Sequence, residues 1–275
     1  MARWTPERWR KLRVKTGFSI YYVIFLAFIY GPMFAMFILS FQGRRGGTSF
    51  PMRGWSLYWW NKLLEPSTVG DMQGALGRSL ILALMVMVIT ALFSTMLAMA
   101  FRKAFRFSNV LFYTVLTGLM VPGVLLSLGM AILMRQLGLS PAWYSSGLAV
   151  HVIWALPFGY LVMMAVFNRF DARLEEAACD MGADEWTVFK EITLPLITPG
   201  VVAAGLFGFT LSYDEFARTT LLAGADNTLP LDINASMTQR IRPTLFALGT
   251  ASTIFSLLMI SVFLGIYTIL YRRSR

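Results

Sequence analysis

The sequence EEAACDMGADEWTVFKEITLP, at residues 175–195, is a polar stretch enclosed by two apolar segments. The apolar segments cover about residues 143–167 and 196–222. Each is long enough to cross the ~30 Å hydrocarbon core of a bilayer as a helix. The polar stretch carries a helix pattern of its own, which predicts a structured loop between two membrane spans.

The composition places the whole chain in a membrane. Of its 275 residues, 57% are hydrophobic and only 14% are charged, whereas a soluble domain has about 25% charged residues. Short alternating segments, typical of membrane β-strands, do not occur in the sequence. The expected fold is an all-α integral membrane protein with six transmembrane helices, near residues 18–41, 79–101, 109–134, 143–167, 196–222 and 245–271.

The positive charge of the chain follows membrane topology. A formal net charge of +10 could otherwise indicate binding to nucleic acid or anionic lipid. Fifteen of the 24 Lys and Arg residues fall on one side of a six-span arrangement, in the groups 3–15, 102–106, 169–190 and 272–275. Because cations accumulate on the cytoplasmic side, both termini and the loop 168–195 are expected in the cytoplasm, and the loop 42–78 outside.

The N-terminal region predicts a short helix followed by a membrane anchor. Residues 1–17 are expected to form a cytoplasmic interfacial helix, since Trp and Leu side chains can anchor it at the membrane surface. The apolar segment after it is too long for a signal-peptide core, and a cleavage site is lacking. Residues 18–275 are therefore predicted to form a single six-span domain.

The residues of the 168–195 loop suit two consecutive helices. Glu175 and Glu176 favour the N-terminal turn of the first through the helix dipole, and Gly182 can end it in a left-handed turn. Asp184 can cap a second helix, which Leu194-Pro195 is expected to stop.

One face of the first loop helix is suited to docking. Leu174, Ala177, Ala178 and Met181 recur at helical spacing, and the two alanines would allow close approach of a partner. The single cysteine of the chain, Cys179, lies on this helix and excludes an internal disulfide; it is expected to be a small residue on a docking helix, without a redox role.

The fifth span carries the charges of greatest interest. Asp214, Glu215 and Arg218 lie in an apolar window, and the other five windows contain no acidic residue. Each charge at a helix centre costs about 2.5–3.5 kcal/mol on insertion scales, so these residues are functional candidates. Asp214 and Arg218 could form an internal i, i+4 pair that makes the helix insertable, and Glu215 could reach the same arginine at i, i+3. Alternatively, two carboxylates with one arginine leave a negative site that faces a transport pathway.

The fourth span holds the only histidine and a tryptophan. His151 is expected to be a packing residue, since one histidine without a cysteine partner is not a metal site. Trp154 is a candidate to line a pathway. In the third span, the Val121-Pro122-Gly123 sequence predicts a break, and such breaks often line cavities.

Several enzymatic motifs are absent from the sequence. The phosphate loop G-x-x-x-x-G-K-[ST], the zinc motif H-E-x-x-H and the nucleophile elbow G-x-S-x-G do not occur. We therefore expect no catalytic residue, metal site or cofactor on this chain, and any nucleotide hydrolysis must reside on another subunit.

The loop resembles the EAA loop of type I ABC-importer permeases. The matching residues are Glu176-Ala177-Ala178, Gly182, Ile192 and Leu194-Pro195, at the spacing of that family. Further stretches are similar to the spermidine/putrescine branch of these permeases: LSYDEFARTTLLAG at 211–224, TLPLDINASM at 228–237, IRPT at 241–244 and ALGT at 247–250.

This resemblance implies a type I (MetI-like) permease fold in a bacterial inner membrane. It implies that the loop couples the chain to an ATPase, through Glu175, Glu176, Ala177, Ala178, Met181, Gly182, Ala183 and Asp184. The pathway residues would be Tyr213, Asp214, Glu215 and Trp154.

The resemblance also implies an assembly and a solute. The partners would be a second permease chain that is a distinct homologue, two ATPase subunits that carry ATP and Mg²⁺, and an external solute-binding protein. A cationic polyamine would suit the acidic fifth span. Iron, an amino acid or opine, or a sugar remain alternative solutes, and a passive channel or a non-transporting scaffold are alternative functions.

Overall fold

The structure is a computed structural model, and it describes residues 6–65, 72–103, 105–239 and 243–273. Helices account for most of these residues, with one isolated bridge between Gln42 and Trp55. The helices are α1 (Pro6–Leu39), α2 (Tyr58–Leu64), α3 (Met72–Ala100), α4 (Ser108–Met120), α5 (Gly123–Gln136), α6 (Leu148–Phe167), α7 (Arg173–Asp180), α8 (Glu185–Val188), α9 (Leu194–Tyr213), α10 (Leu229–Gln239) and α11 (Pro243–Arg273).

The described helices reproduce the predicted membrane spans. Five of them are long and apolar enough to cross a bilayer, namely Val14–Leu39, Met72–Ala100, Trp143–Phe167, Glu185–Tyr213 and Pro243–Gly265. The remaining predicted span, the third, corresponds to the pair α4 and α5. The all-α, multi-span prediction is therefore confirmed.

The third span breaks where the sequence predicts it. The axes of α4 and α5 meet at an angle of 107°, and Pro122, which has no N–H to donate, precedes the first residue of α5. At 1.5 Å per residue, α4 is only about 20 Å long, shorter than the ~30 Å of a bilayer core. The two segments together form either one broken span or a re-entrant loop.

Helix α1 continues past the predicted N-terminal boundary. It is helical without interruption over 34 residues, so the predicted boundary at residue 17 falls inside one helix. Residues 1–5, which belong to the predicted interfacial helix, lie outside the described residues. The division into 1–17 and 18–275 concerns position relative to the membrane and stays a prediction.

The chain forms two compact units. One unit holds α1, α2 and the first half of α11, and the other holds α3 to α9, most of α10 and the end of α11. In the second unit, α3, α6 and α9 pack against one another. Thr90 of α3 fits between glycines of both partners: a Cβ at Gly159 would lie 2.8 Å from its Cγ2, and one at Gly208 3.0 Å from its Cβ. Small residues thus permit the close helix approach typical of membrane proteins.

The fifth span begins earlier than predicted. Helix α8, a π-helical turn at Phe189–Thr193 and α9 follow one another directly, so Leu194-Pro195 does not stop the helix and that prediction was wrong. Pro195 lies in the first turn of α9, where its missing N–H is tolerated. The wide π turn before it absorbs the mismatch in the backbone hydrogen bonds. Helix α8 and the membrane span α9 are therefore one continuous element.

Candidate functional site

The polar loop forms helix α7 and ends it at a glycine, as predicted. Gly182 has φ +89°, and its N–H donates to the carbonyl of Cys179 while that of Ala183 donates to Ala178. These bonds satisfy the last carbonyls of α7 in a left-handed turn. Asp184 then adopts an extended conformation as the N-cap residue of α8, and its carboxylate accepts a hydrogen bond from Thr187 Oγ1. This bond lowers the pKa of Asp184.

The exposed apolar side chains of the loop lie on its outer edge. Met181 is 84% exposed and Trp186 67% exposed, and Leu174 and Ala177 are exposed as well. Ala178, by contrast, is buried. Its predicted place on a docking face was therefore wrong, because α7 packs that side against α8 and the turn after it.

The two adjacent glutamates of α7 have different environments. Glu176 is exposed. Glu175 accepts two hydrogen bonds from Arg102, one of them from Nη1 at 3.0 Å, and a third from Thr193 Oγ1. The Arg102 guanidinium, assisted by Thr193, holds the pKa of Glu175 below its ordinary value. Glu175 thus ties the loop to the rest of the chain.

The acidic end of the fifth span is not helical, contrary to the prediction. Helix α9 ends at Tyr213, and Asp214 is its C-cap residue. An i, i+4 pair between Asp214 and Arg218 presupposes a helix, so that prediction was wrong. The i, i+3 pair between Glu215 and Arg218 forms, as the sequence also allows: Arg218 Nη1 donates to Glu215 Oε2 at 2.9 Å, and its backbone N–H donates to Glu215 Oε1 at 2.9 Å.

Arg218 is the centre of this region. Its guanidinium lies 3.6 Å from the centroid of the Trp154 ring on α6. A Cβ at Gly123, the first residue of α5, would be 3.0 Å from Arg218 Cγ, and Ser127 Oγ donates to the Arg218 carbonyl. The start of α5, at the break in the third span, therefore contacts the turn that follows α9 in the fifth span. The contact of Arg218 with Gly123 and Ser127 was not predicted from the sequence, although the predicted break at Pro122 lies beside it.

His151 connects the two sides of the turn after α9. Its Nδ1 lies 2.8 Å from Ser212 Oγ and its Nε2 2.8 Å from Thr219 Oγ1. Because Thr219 Oγ1 donates its own proton to the Glu215 carbonyl, it must accept one from His151 Nε2. His151 is a fully satisfied packing residue, as predicted.

The four predicted pathway residues lie in different environments. Asp214 is exposed and forms no ion pair within the part of the chain that the structure describes. Tyr213 is buried, with its ring stacked on Phe209 at 5.8 Å, so it presents no surface to a solute here. Glu215 is neutralised by Arg218. Trp154 is half-buried, and one of its faces is covered by Arg218.

Metal ligands do not cluster in the described ranges. No group of three or more His, Cys, Asp or Glu side chains there could hold a metal ion. Cys179 is exposed on α7, because the buried side of the helix falls on its neighbour Ala178.

A family model described as "Binding-protein-dependent transport system inner membrane component" matches residues 91–275. This range includes the polar loop and the turn after α9. The chain belongs to this family. It is therefore a multi-pass protein of the inner membrane and a transport component, not an enzyme, as expected from its sequence.

Known members of the family are similar over most of the chain. The putrescine transport system permease protein PotI of Escherichia coli (strain K12) is 29% identical over 250 residues, which cover 88% of this chain and 84% of PotI. The spermidine/putrescine transport system permease protein PotC of Haemophilus influenzae is 29% identical over 236 residues, covering 85% and 90%.

Solved structures of bacterial importers share the fold of this family member. A transporter that imports the acidic polysaccharide alginate matches with a TM-score of 0.68 at 13% identity, covering 98% of this chain and 99% of that one. The methionine transporter MetNI in an inward-facing conformation matches with a TM-score of 0.57 at 16% identity, covering 74% and 96%. These likenesses confirm the expected permease fold.

Proposed function

We propose that the chain is the permease subunit of an ATP-binding-cassette importer and forms half of the pathway for a polyamine or related organic cation. An external binding protein delivers the solute, and separate ATPase subunits hold ATP and Mg²⁺. The second permease chain is a distinct homologue, and two ATPase subunits complete the assembly.

The exposed apolar edge of the polar loop supports the coupling role. Met181 and Trp186 present large apolar side chains to solvent, beside the exposed carboxylate of Glu176. Exposed apolar residues next to charge are typical of a protein interface. With the loop in the cytoplasm, as the distribution of Lys and Arg favours, the partner at this edge is the ATPase, and Glu176, Ala177, Met181 and Trp186 form the contact.

The solute class rests on two observations. Two relatives carry putrescine or spermidine in their names. In addition, Asp214 places an exposed carboxylate at the end of α9, and its charge is not neutralised by an ion pair within the described residues. A free carboxylate attracts an ammonium group, whereas Glu215 already has a cation. Asp214 is therefore the acid that faces the solute. Glu215 pairs with Arg218 and stabilises the turn that follows Asp214.

Transport follows from alternating access. ATP closes the ATPase dimer, α7 moves with it, and the pathway opens outward to receive the solute. Hydrolysis then restores the inward state. Because α8 and α9 form one continuous element, displacement of the loop is transmitted along the fifth span to Asp214.

The decisive experiment is co-purification of the tagged chain with an ATPase and a binding protein from the native membrane, followed by uptake in proteoliposomes. Putrescine and spermidine are compared with ferric iron, an amino acid and a sugar. We expect ATP-dependent uptake of the amines alone. Amine flux without the ATPase would favour a passive channel, and an intact complex without any uptake would favour a scaffold.

Neutralising Asp214 is expected to impair uptake more than neutralising Glu215. Asp214→Asn should raise the KM for putrescine about tenfold, because one charge–charge contact at the solute is lost, worth about 1.4 kcal/mol. Glu215→Gln should alter the stability of the protein more than the KM, since Glu215 pairs with Arg218. The measurement is initial uptake rate against concentration at equal expression. Unchanged kinetics in Asp214→Asn would exclude recognition of the solute by this carboxylate.

A further inference from the structure

Arg102 contacts the polar loop from outside it, through Glu175 and Phe170. Docking of an ATPase at the exposed edge of the loop does not depend on these contacts. Arg102 lies just after α3, the second membrane span, and 73 residues before Glu175 in the sequence. Both terminal nitrogens of its guanidinium donate to the two carboxylate oxygens of Glu175. A bidentate pair fixes the orientation of both side chains, which a single contact would not do.

The same guanidinium also packs on the segment that leads into α7. Its Cζ lies 5.3 Å from the Phe167 ring centroid and 4.9 Å from that of Phe170. Phe167 is the last residue of α6, the fourth span. Arg102 therefore contacts the end of the fourth span and the first turn of the loop helix at once. Stacking of a planar guanidinium on aromatic rings further restricts its motion.

Glu175 extends this connection to the fifth span. Its Oε1 accepts the hydroxyl proton of Thr193, a buried residue at the end of the π-helical turn before α9. Such π turns within helices often occur at functional positions. One carboxylate thus joins the loop helix to the ends of two membrane spans. We name Arg102, Glu175 and Thr193 the loop clamp.

The loop clamp lies on the inner side of α7, away from the exposed edge. The side chains of Arg102 and Glu175 are 25% and 21% exposed; Glu175 is half-buried, while the neighbouring Glu176 is exposed. The lowered pKa of Glu175 keeps its carboxylate ionised at neutral pH. Two adjacent glutamates therefore have separate tasks: Glu176 faces a partner, and Glu175 faces the membrane spans.

We infer that Arg102 is a positioning residue for the coupling step, acting through Glu175 so that the loop helix and the ends of the second and fifth spans move together. This inference rests on the proposed docking of an ATPase at the exposed edge of the loop. Without the clamp, the ATPase still binds and turns over, but movement of α7 is no longer transmitted in full to α3 and α9.

The test compares assembly, ATP hydrolysis and uptake in the complete importer reconstituted in proteoliposomes. For Arg102→Gln and Glu175→Gln we expect normal co-purification of the ATPase and continued hydrolysis. Uptake of putrescine per ATP hydrolysed should fall about tenfold, within the usual range of coupling between sites. Lys103→Gln, which removes the neighbouring exposed cation, should leave this ratio unchanged.

Two further variants make the assignment specific. The double variant Arg102→Glu/Glu175→Arg should recover part of the lost uptake per ATP, and a double variant no better than the single ones would overturn the clamp. Glu176→Lys should instead lose the ATPase during purification. If Arg102→Gln also loses the ATPase, or keeps wild-type uptake per ATP, the inference is wrong while the proposed function stands. If the wild-type chain retains no ATPase, both the inference and the proposed function are wrong.

Discussion

Replacing Arg218 by methionine is expected to lower the free energy of unfolding by about 3–5 kcal/mol, the usual effect of removing one partner from a buried ion pair. The side chains of Arg218 and Glu215 are only 10% and 11% exposed, so the remaining carboxylate would stay buried without its cation. Thermal unfolding in detergent, followed by tryptophan fluorescence, measures the loss.

Two control variants separate the charge from the packing in this prediction. In Arg218→Met/Glu215→Gln both charges are removed, the Gln side chain can still accept from the backbone N–H of residue 218, and stability should largely return. Lys190→Met, which breaks the exposed pair with Glu191, should change stability by less than about 1 kcal/mol. A double variant as unstable as Arg218→Met would show that packing on Trp154, rather than the ion pair, stabilises this region.

Replacing Gly182 by valine is expected to abolish coupled uptake. At φ +89° a β-branched residue is strained by about 1–3 kcal/mol, and α7 must change its C-terminal turn to relieve the strain. Apart from the two chain neighbours, no atom of the described residues lies within 4 Å of a Cβ at this position, so the effect is one of backbone conformation and not of a steric clash. Uptake of putrescine and retention of the ATPase, both at equal expression, are the measurements.

Gly138 provides a matched control for Gly182. It also has positive φ, +69°, and open space around its Cβ, but it lies just after α5. Gly138→Val should carry a similar backbone penalty and leave ATPase retention intact. Equal loss of retention in the two variants would contradict a specific role for the loop, as would full uptake in Gly182→Val.

Local signals in the sequence predicted the spans and the ends of the loop helix. Long apolar windows indicate the membrane helices, because the bilayer sets their length. Pro122 predicts the broken third span, and Gly182 predicts the left-handed turn after α7. Each of these features depends on residues within a few positions of one another, which is why one sequence suffices to find them.

Features that depend on distant contacts were not predictable in this way. The contact of Arg102 with Glu175 joins residues 73 positions apart, and the packing of α3 against α6 and α9 brings them together. The end of α9 at Tyr213 has no proline or glycine to mark it. The contacts of His151 with hydroxyls on both sides of the turn that follows also join residues 61 and 68 positions apart.

The exposed thiol of Cys179 has a practical consequence. It is the sole cysteine of the chain, and it lies on the loop helix between Glu176 and Gly182. A maleimide spin label or fluorophore can therefore be attached at one known point of the wild-type chain, without prior removal of other thiols. Such a reporter would follow the movement of this helix through the nucleotide cycle by distance or mobility measurements.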